Sequence, residues 1–124
     1  MLNVLIADND VDAWFQVNAL LRRYLIKANF VSTLKAARHQ IKQQIPSILF
    51  VDKQLQDNSA LDFISWVKSK YPQVKIIFIN IYGEGSAGFR ARPDMVISKP
   101  LIPDIIERAI VKLLFPQLRD RQPA

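Results

Sequence analysis

Acids and one lysine stand where apolar runs end in this chain. Leu2–Ala7 (LNVLIA) leads into Asp8-Asn9-Asp10, and Ile48–Val51 (ILFV) leads into Asp52. Lys75–Ile79 (KIIFI) leads into Asn80, and Met95–Ser98 (MVIS) leads into Lys99-Pro100. A carboxylate directly after ILFV is badly placed unless it is paired, because desolvating an unpaired charge is costly. Carboxylate oxygens suit a hard divalent cation, and a carboxylate can act as a nucleophile. The plainer reading is a static salt-bridge cluster of Asp8, Asp52 and Lys99 that specifies the fold. Asp10 and Asp12 read best as N-cap chemistry for the helix after them. Asp8, Asp10, Asp12, Asp52 and Asp57 fall in two short segments and are expected to share one pocket.

The elements that must position these residues alternate. The four runs above, with Phe30–Ser32 and its flanks, read as five strands; three are nearly all apolar, as in parallel strands buried on both faces. Ala13, Val17, Leu20, Leu21 and Tyr24 share one face of a first helix. Thr33 or Ser32 caps a second, with Leu34, Ala37, Ile41 and Ile45 as its stripe. Ser59 caps a third, with Asp62 at the capping-box position and Leu61, Ile64 and Val67 inward. Pro103 opens the last, lined by Ile105, Ile106, Ala109, Ile110, Leu113 and Leu114. Tyr82–Pro93 holds all three glycines of the protein, so a loop or one poor turn is expected there, the least ordered internal stretch. Strands alternating with helices imply a parallel sheet covered on both faces, with ligands at the carboxyl ends of the strands.

Composition bounds the function. The 124 residues suit one domain, 1–116, followed by a polar tail or linker stub, 117–124. The absence of cysteine excludes disulfides and thiolate metal sites. No signal peptide and no apolar run long enough to span a membrane are visible, so a cytoplasmic protein is expected. Seventeen Lys+Arg stand against eleven Asp+Glu, a net charge of +6. They are spread along the chain, which reads as a solvated surface, and no groove-reading motif points to nucleic acid.

An acid pair after strand one, Asp after strand three and Lys-Pro after strand five resembles response-regulator receiver domains over roughly Leu2 to Leu114. The resemblance implies a flavodoxin-like, doubly wound α/β fold, its five parallel strands in the order 2-1-3-4-5. It implies that Asp52 accepts a phosphoryl group from a histidine kinase or phosphotransfer protein. Asp8, Asn9, Asp52 and the Gln54 carbonyl would hold Mg²⁺. Lys99 and Asn80 would contact the phosphoryl group, and Pro100 would follow a cis bond. A homodimer or an output domain would be a further partner.

The sequence departs from the family at Asn9, where a second acid is usual, so Mg²⁺ binding should be weakened. Asn80 replaces the usual hydroxyl residue. Val96 replaces the aromatic switch residue. The fourth helix of the family is degraded, and Gln56-Asp57-Asn58-Ser59 replaces a Pro-Gly turn. An atypical receiver follows, either phosphoaccepting or a phosphorylation-independent interaction module. Turnover as an enzyme is not expected. An aspartyl phosphatase would want an acid where Gln54 stands, a nucleotide-binding fold would want a Gly-rich loop after strand one, and His39 sits among polar residues mid-helix. Trp14 and Phe15 on the first helix are the candidate partner surface, Phe15 exposed and Trp14 at the edge of the apolar stripe.

Overall fold

The computed structural model describes residues 2–55, 57–80 and 92–115. Its elements are β1 (Asn3–Ala7), α1 (Val11–Arg23), β2 (Lys27–Val31), α2 (Leu34–Gln43), β3 (Ile48–Asp52), α3 (Ala60–Lys70), β4 (Lys75–Asn80), β5 (Met95–Ser98) and α4 (Pro103–Leu114). The strands form one parallel sheet in the order β2-β1-β3-β4-β5, as expected. The three nearly all-apolar runs are β1, β3 and β4, the central strands, almost wholly buried. β2 and β5 form the edges and are half-exposed, so their sequences carry less of the signal.

Successive strand residues face opposite sides of the sheet, which splits the core in two. Leu5, Leu49, Val51, Ile76 and Phe78 pack against Leu34, Ala37 and Ile41 of α2 and Phe63, Ile64 and Val67 of α3. Val4, Ile6, Phe50, Ile77 and Ile79 pack against Val17, Leu20 and Leu21 of α1 and Ile106, Ala109 and Ile110 of α4. Each fully buried Leu, Ile or Phe contributes about 1.5–3 kcal/mol relative to an exposed one.

Local chemistry sets the helix ends. Asp10 Oδ1 accepts the Asp12 N–H at 3.0 Å, Thr33 Oγ1 accepts the Ala36 N–H at 3.0 Å, and Ser59 Oγ accepts the Asp62 N–H at 3.2 Å. α1 ends with Leu25 at φ 58°, a left-handed position that usually holds glycine. There the Ile26 N–H donates to the Leu21 carbonyl at 3.1 Å and the Leu25 N–H to the Arg22 carbonyl at 3.1 Å, a Schellman closure.

Three expected core residues are exposed instead: Tyr24, Ile45 and Ile105. Tyr24 falls one residue past α1, where the chain turns, and its hydroxyl donates to Glu107 at 2.6 Å. Ile45 lies beyond α2, after Gln44 has become extended, so the helical period no longer aims it inward. Ile105 sits in the first turn of α4, off the face carried by Ile106, Ala109 and Ile110. The Ala13 side chain, the expected tail 117–124 and nearly all of the expected loop at 82–93 lie outside the described residues.

Candidate functional site

Strand register brings the acids together. Ala7 of β1 pairs with Val51 of β3, so the next residues, Asp8 and Asp52, sit side by side at the carboxyl edge, about 4.8 Å apart in backbone spacing. On the other side of β3, Asp52 pairs with Ile79 of β4, and Asn80 pairs with Ser98 of β5. Lys99 therefore emerges one strand further out, with its N–H donating to the Asn80 carbonyl at 3.1 Å. The Lys99–Pro100 peptide bond is cis.

Asp52 is 1% exposed. Its Oδ2 accepts from Lys99 Nζ at 2.8 Å and its Oδ1 from the Gln54 N–H at 2.9 Å. Asp8 is fully buried, and its Oδ1 accepts the Asp10 N–H at 3.0 Å. Asp8 Oδ2 is buried with no hydrogen-bond partner among the described residues. Burial, then the adjacent Asp52 carboxylate, push the Asp8 carboxyl up to about 7. Burial also works against an ionised Asp52, but the adjacent Asp8 carboxyl and the hydrogen bonds from Lys99 and the Gln54 amide outweigh it and hold Asp52 below the usual range. Of the two carboxyls, Asp8 is therefore the one that takes up a proton first as pH falls. Burial disfavours the Lys99 ammonium, yet the Asp52 hydrogen bond and the charges of Asp8, Asp52 and Asp10 raise its pKa overall.

The remaining expected site residues lie at different depths. Asn80 is buried beside Lys99. Val96 is half-buried and packs on the α2–α3 side of the core. Asn9 is exposed, lining a cleft of about 470 Å³ with Ser32, Thr33, Gln54, Leu55 and Asp57. A smaller cavity of about 140 Å³ beside Lys99 is lined by Asp10, Asp12, Gln16, Pro100 and Leu101. Phe15 is 59% exposed, and Trp14 packs between it and Phe30 at ring distances of 5.2 and 5.8 Å.

Asp57 does not join the acid pocket. Its two carboxylate oxygens accept the Leu34 and Lys35 N–H groups at 2.9 Å each, capping α2 from the β3–α3 loop. Slight burial opposes its ionised form, but these amide bonds hold its pKa down. A cap donated from 23 residues away leaves no local sequence pattern. The Gln54 side chain was missed in the same way: its Oε1 accepts Lys99 Nζ at 3.1 Å, a second anchor for the ammonium.

A buried ionised carboxylate, an ammonium across it and a second carboxyl with an unused oxygen form one constellation. The model of the response regulator receiver domain matches residues 4–111. The chain belongs to the response regulator receiver domain family. This receiver is 37% identical over 71 residues to the regulatory protein LuxO of Vibrio vulnificus, a match covering 54% of this chain. That match spans only 16% of the length of LuxO. Among solved structures, a putative response regulator from Chloroflexus aurantiacus has the same fold, with TM-score 0.81, 21% identity, and coverage of 90% of this receiver and 96% of that chain. A CheY-like receiver from Methanospirillum hungatei superposes with TM-score 0.82 at 19% identity, covering 97% of this receiver and 98% of that chain. None of the described helices of this receiver is long and apolar enough to cross a membrane.

Proposed function

We propose that this receiver accepts a phosphoryl group on Asp52 from a histidine kinase or phosphotransfer protein and signals through protein contacts. The observation that carries this reading is the state of Asp52: buried, ionised, and held by Lys99 at 2.8 Å and the Gln54 amide at 2.9 Å. A carboxylate oxygen attacks the phosphorus of a phosphohistidine. The P–N bond breaks, its electron pair leaves with the imidazole, and an acyl phosphate remains on Asp52. Lys99, anchored by Gln54 Oε1, is placed to turn from the carboxylate to the new phosphoryl oxygens. The buried Asn80 beside it offers an amide donor where a hydroxyl is usual.

The residues fit a Mg²⁺ ion. Asp8 Oδ2 is a buried oxygen without a partner beside Asp52, and Mg²⁺ is usually held by one or two carboxylates, with waters and phosphate oxygens completing its shell. Asp8, Asp52 and the Gln54 carbonyl would hold it, with Asn9 at the rim contributing no charge. When bound, it neutralises charge on the transferring phosphoryl group.

The donor's approach is marked by exposed apolar residues: Val11 and Phe15 on α1, Ile102 just before α4 and Ile105 in its first turn. Such a surface suits a helical partner that presents its histidine to the pocket. On this reading the chain acts in the cytoplasm. Beryllofluoride with Mg²⁺, followed by backbone amide shifts, tests the proposal. Shifts centred on Asp8, Asp52–Gln54, Asn80 and Lys99, and lost in Asp52→Asn, are expected. An unresponsive site would leave a static interaction module.

A further inference from the structure

The basic residues that look scattered in the sequence converge on one face. α2 carries Lys35, Arg38 and Lys42 and no acid across Leu34–Gln43. Their spacings of three and four place them along one side of the helix. Arg38 lies over the Trp66 ring of α3 at 4.5 Å, and Lys70 approaches the same ring at 5.7 Å and that of Tyr71 at 5.9 Å. A groove of about 280 Å³ between α2 and α3 is lined by Lys35, Arg38, Asn58 and Phe63.

Among the described residues, none of Lys35, Arg38, Lys42 and Lys70 has a carboxylate partner. The acids nearby are otherwise engaged or do not pair: Asp57, also on the groove, caps α2, Asp94 holds Lys68, and Asp62 forms no ion pair with the four. The ring contacts of Arg38 and Lys70 offset part of the repulsion between these like charges but leave the positive charge of the face unneutralised, and an acidic occupant would neutralise it.

We propose that the α2–α3 face centred on Trp66 docks an acidic segment of a partner protein. The docking stands apart from phosphotransfer, since none of its residues belongs to the Asp52 site. Arginine and aromatic side chains at a half-buried centre, with lysines at the rim, are the composition of a protein-binding hot spot. Nucleic acid fits less well. Trp66 is already stacked on Phe63 at 6.0 Å and covered by Arg38, so its ring is not free to stack a base. The α2 stripe from Lys35 to Lys42 spans about 10 Å, too short to follow the many phosphates that drive duplex binding.

The test titrates the intact chain with a Glu/Leu-rich peptide, with the same peptide carrying Gln for every Glu, and with duplex DNA. Backbone amide shifts and the Trp66 indole resonance are followed at low and high salt. Saturable shifts over α2 and on the Trp66 indole are expected with the acidic peptide alone, weakening with salt. Lys35→Gln with Lys42→Gln, both exposed, should bind about tenfold more weakly with unchanged thermal stability. Arg38→Lys, which keeps the charge but loses the stacked plane, should also bind more weakly. Equal binding of the Gln peptide, shifts centred elsewhere, no saturable binding, or tighter binding of DNA on this face would each overturn the proposal.

Discussion

Replacing Asp8 by Asn isolates the cost of the second buried carboxyl. In the folded chain the Asp8 carboxyl is raised from 3.8 to about 7, chiefly by burial and then by Asp52. A carboxyl that is harder to ionise folded than unfolded favours the native state only while it stays protonated. Its stabilising contribution is full below the unfolded value, falls as pH rises from 3.8, and is gone above about 7. Ionising a carboxyl raised that far costs at most roughly 4 kcal/mol. Part of that cost is shared with Asp52, which moves the opposite way, so a net of about 2 kcal/mol is expected. Asn mimics the neutral acid at every pH. Asp8→Asn should therefore be nearly neutral at about pH 3, below the unfolded value, and stabilise the metal-free chain by about 2 kcal/mol at pH 8, raising Tm by roughly 8 °C. Denaturant unfolding at both pH values, with and without Mg²⁺, measures this. Mg²⁺ should stabilise the wild type at pH 8 and leave Asp8→Asn unmoved. A ΔΔG independent of pH, or an Asn variant destabilised at pH 8, would refute the reasoning.

The other predictions concern single contacts. Asn9→Asp restores a negative charge at the rim of the site and should tighten Mg²⁺ roughly three- to tenfold in a fluorescence titration; an unchanged affinity would mean that this position does not face the ion. Leu25→Gly relieves a left-handed leucine that is 88% exposed and should stabilise by about 1 kcal/mol in urea unfolding. Asp57→Ala removes the cap from the Leu34 and Lys35 amides and should cost about 1 kcal/mol, with faster hydrogen exchange confined to the first turn of α2.

The apolar runs made β1, β3 and β4 legible as buried strands, and the resemblance to receiver domains supplied their order and the grouping of Asp8, Asp52 and Lys99, which the strand register bears out. Caps made within a few residues, at Asp10, Thr33 and Ser59, were legible for the same local reason. What was not legible depends on side chains that cross between elements. Asp57 looked like a fifth acid of the pocket, yet its partners are amides on another helix. Gln54 looked like a backbone ligand alone, and its side chain anchors Lys99. Tyr24 and Ile45 continue a helical period on paper, but the helices stop before them. The basic face also stayed hidden, because Arg38 of α2 and Lys70 of α3, far apart in sequence, meet at the Trp66 ring.

Whether Asp52 is a phosphoacceptor is tested most directly by intact mass after incubation with acetyl phosphate and Mg²⁺, with the wild type and Asp52→Ala side by side. The wild type should gain the mass of a single phosphoryl group, labile to hydroxylamine, and Asp52→Ala should gain none. A wild-type chain that stays unmodified at saturating Mg²⁺ and phosphodonor, or an Asp52→Ala variant that gains the same mass, would contradict it.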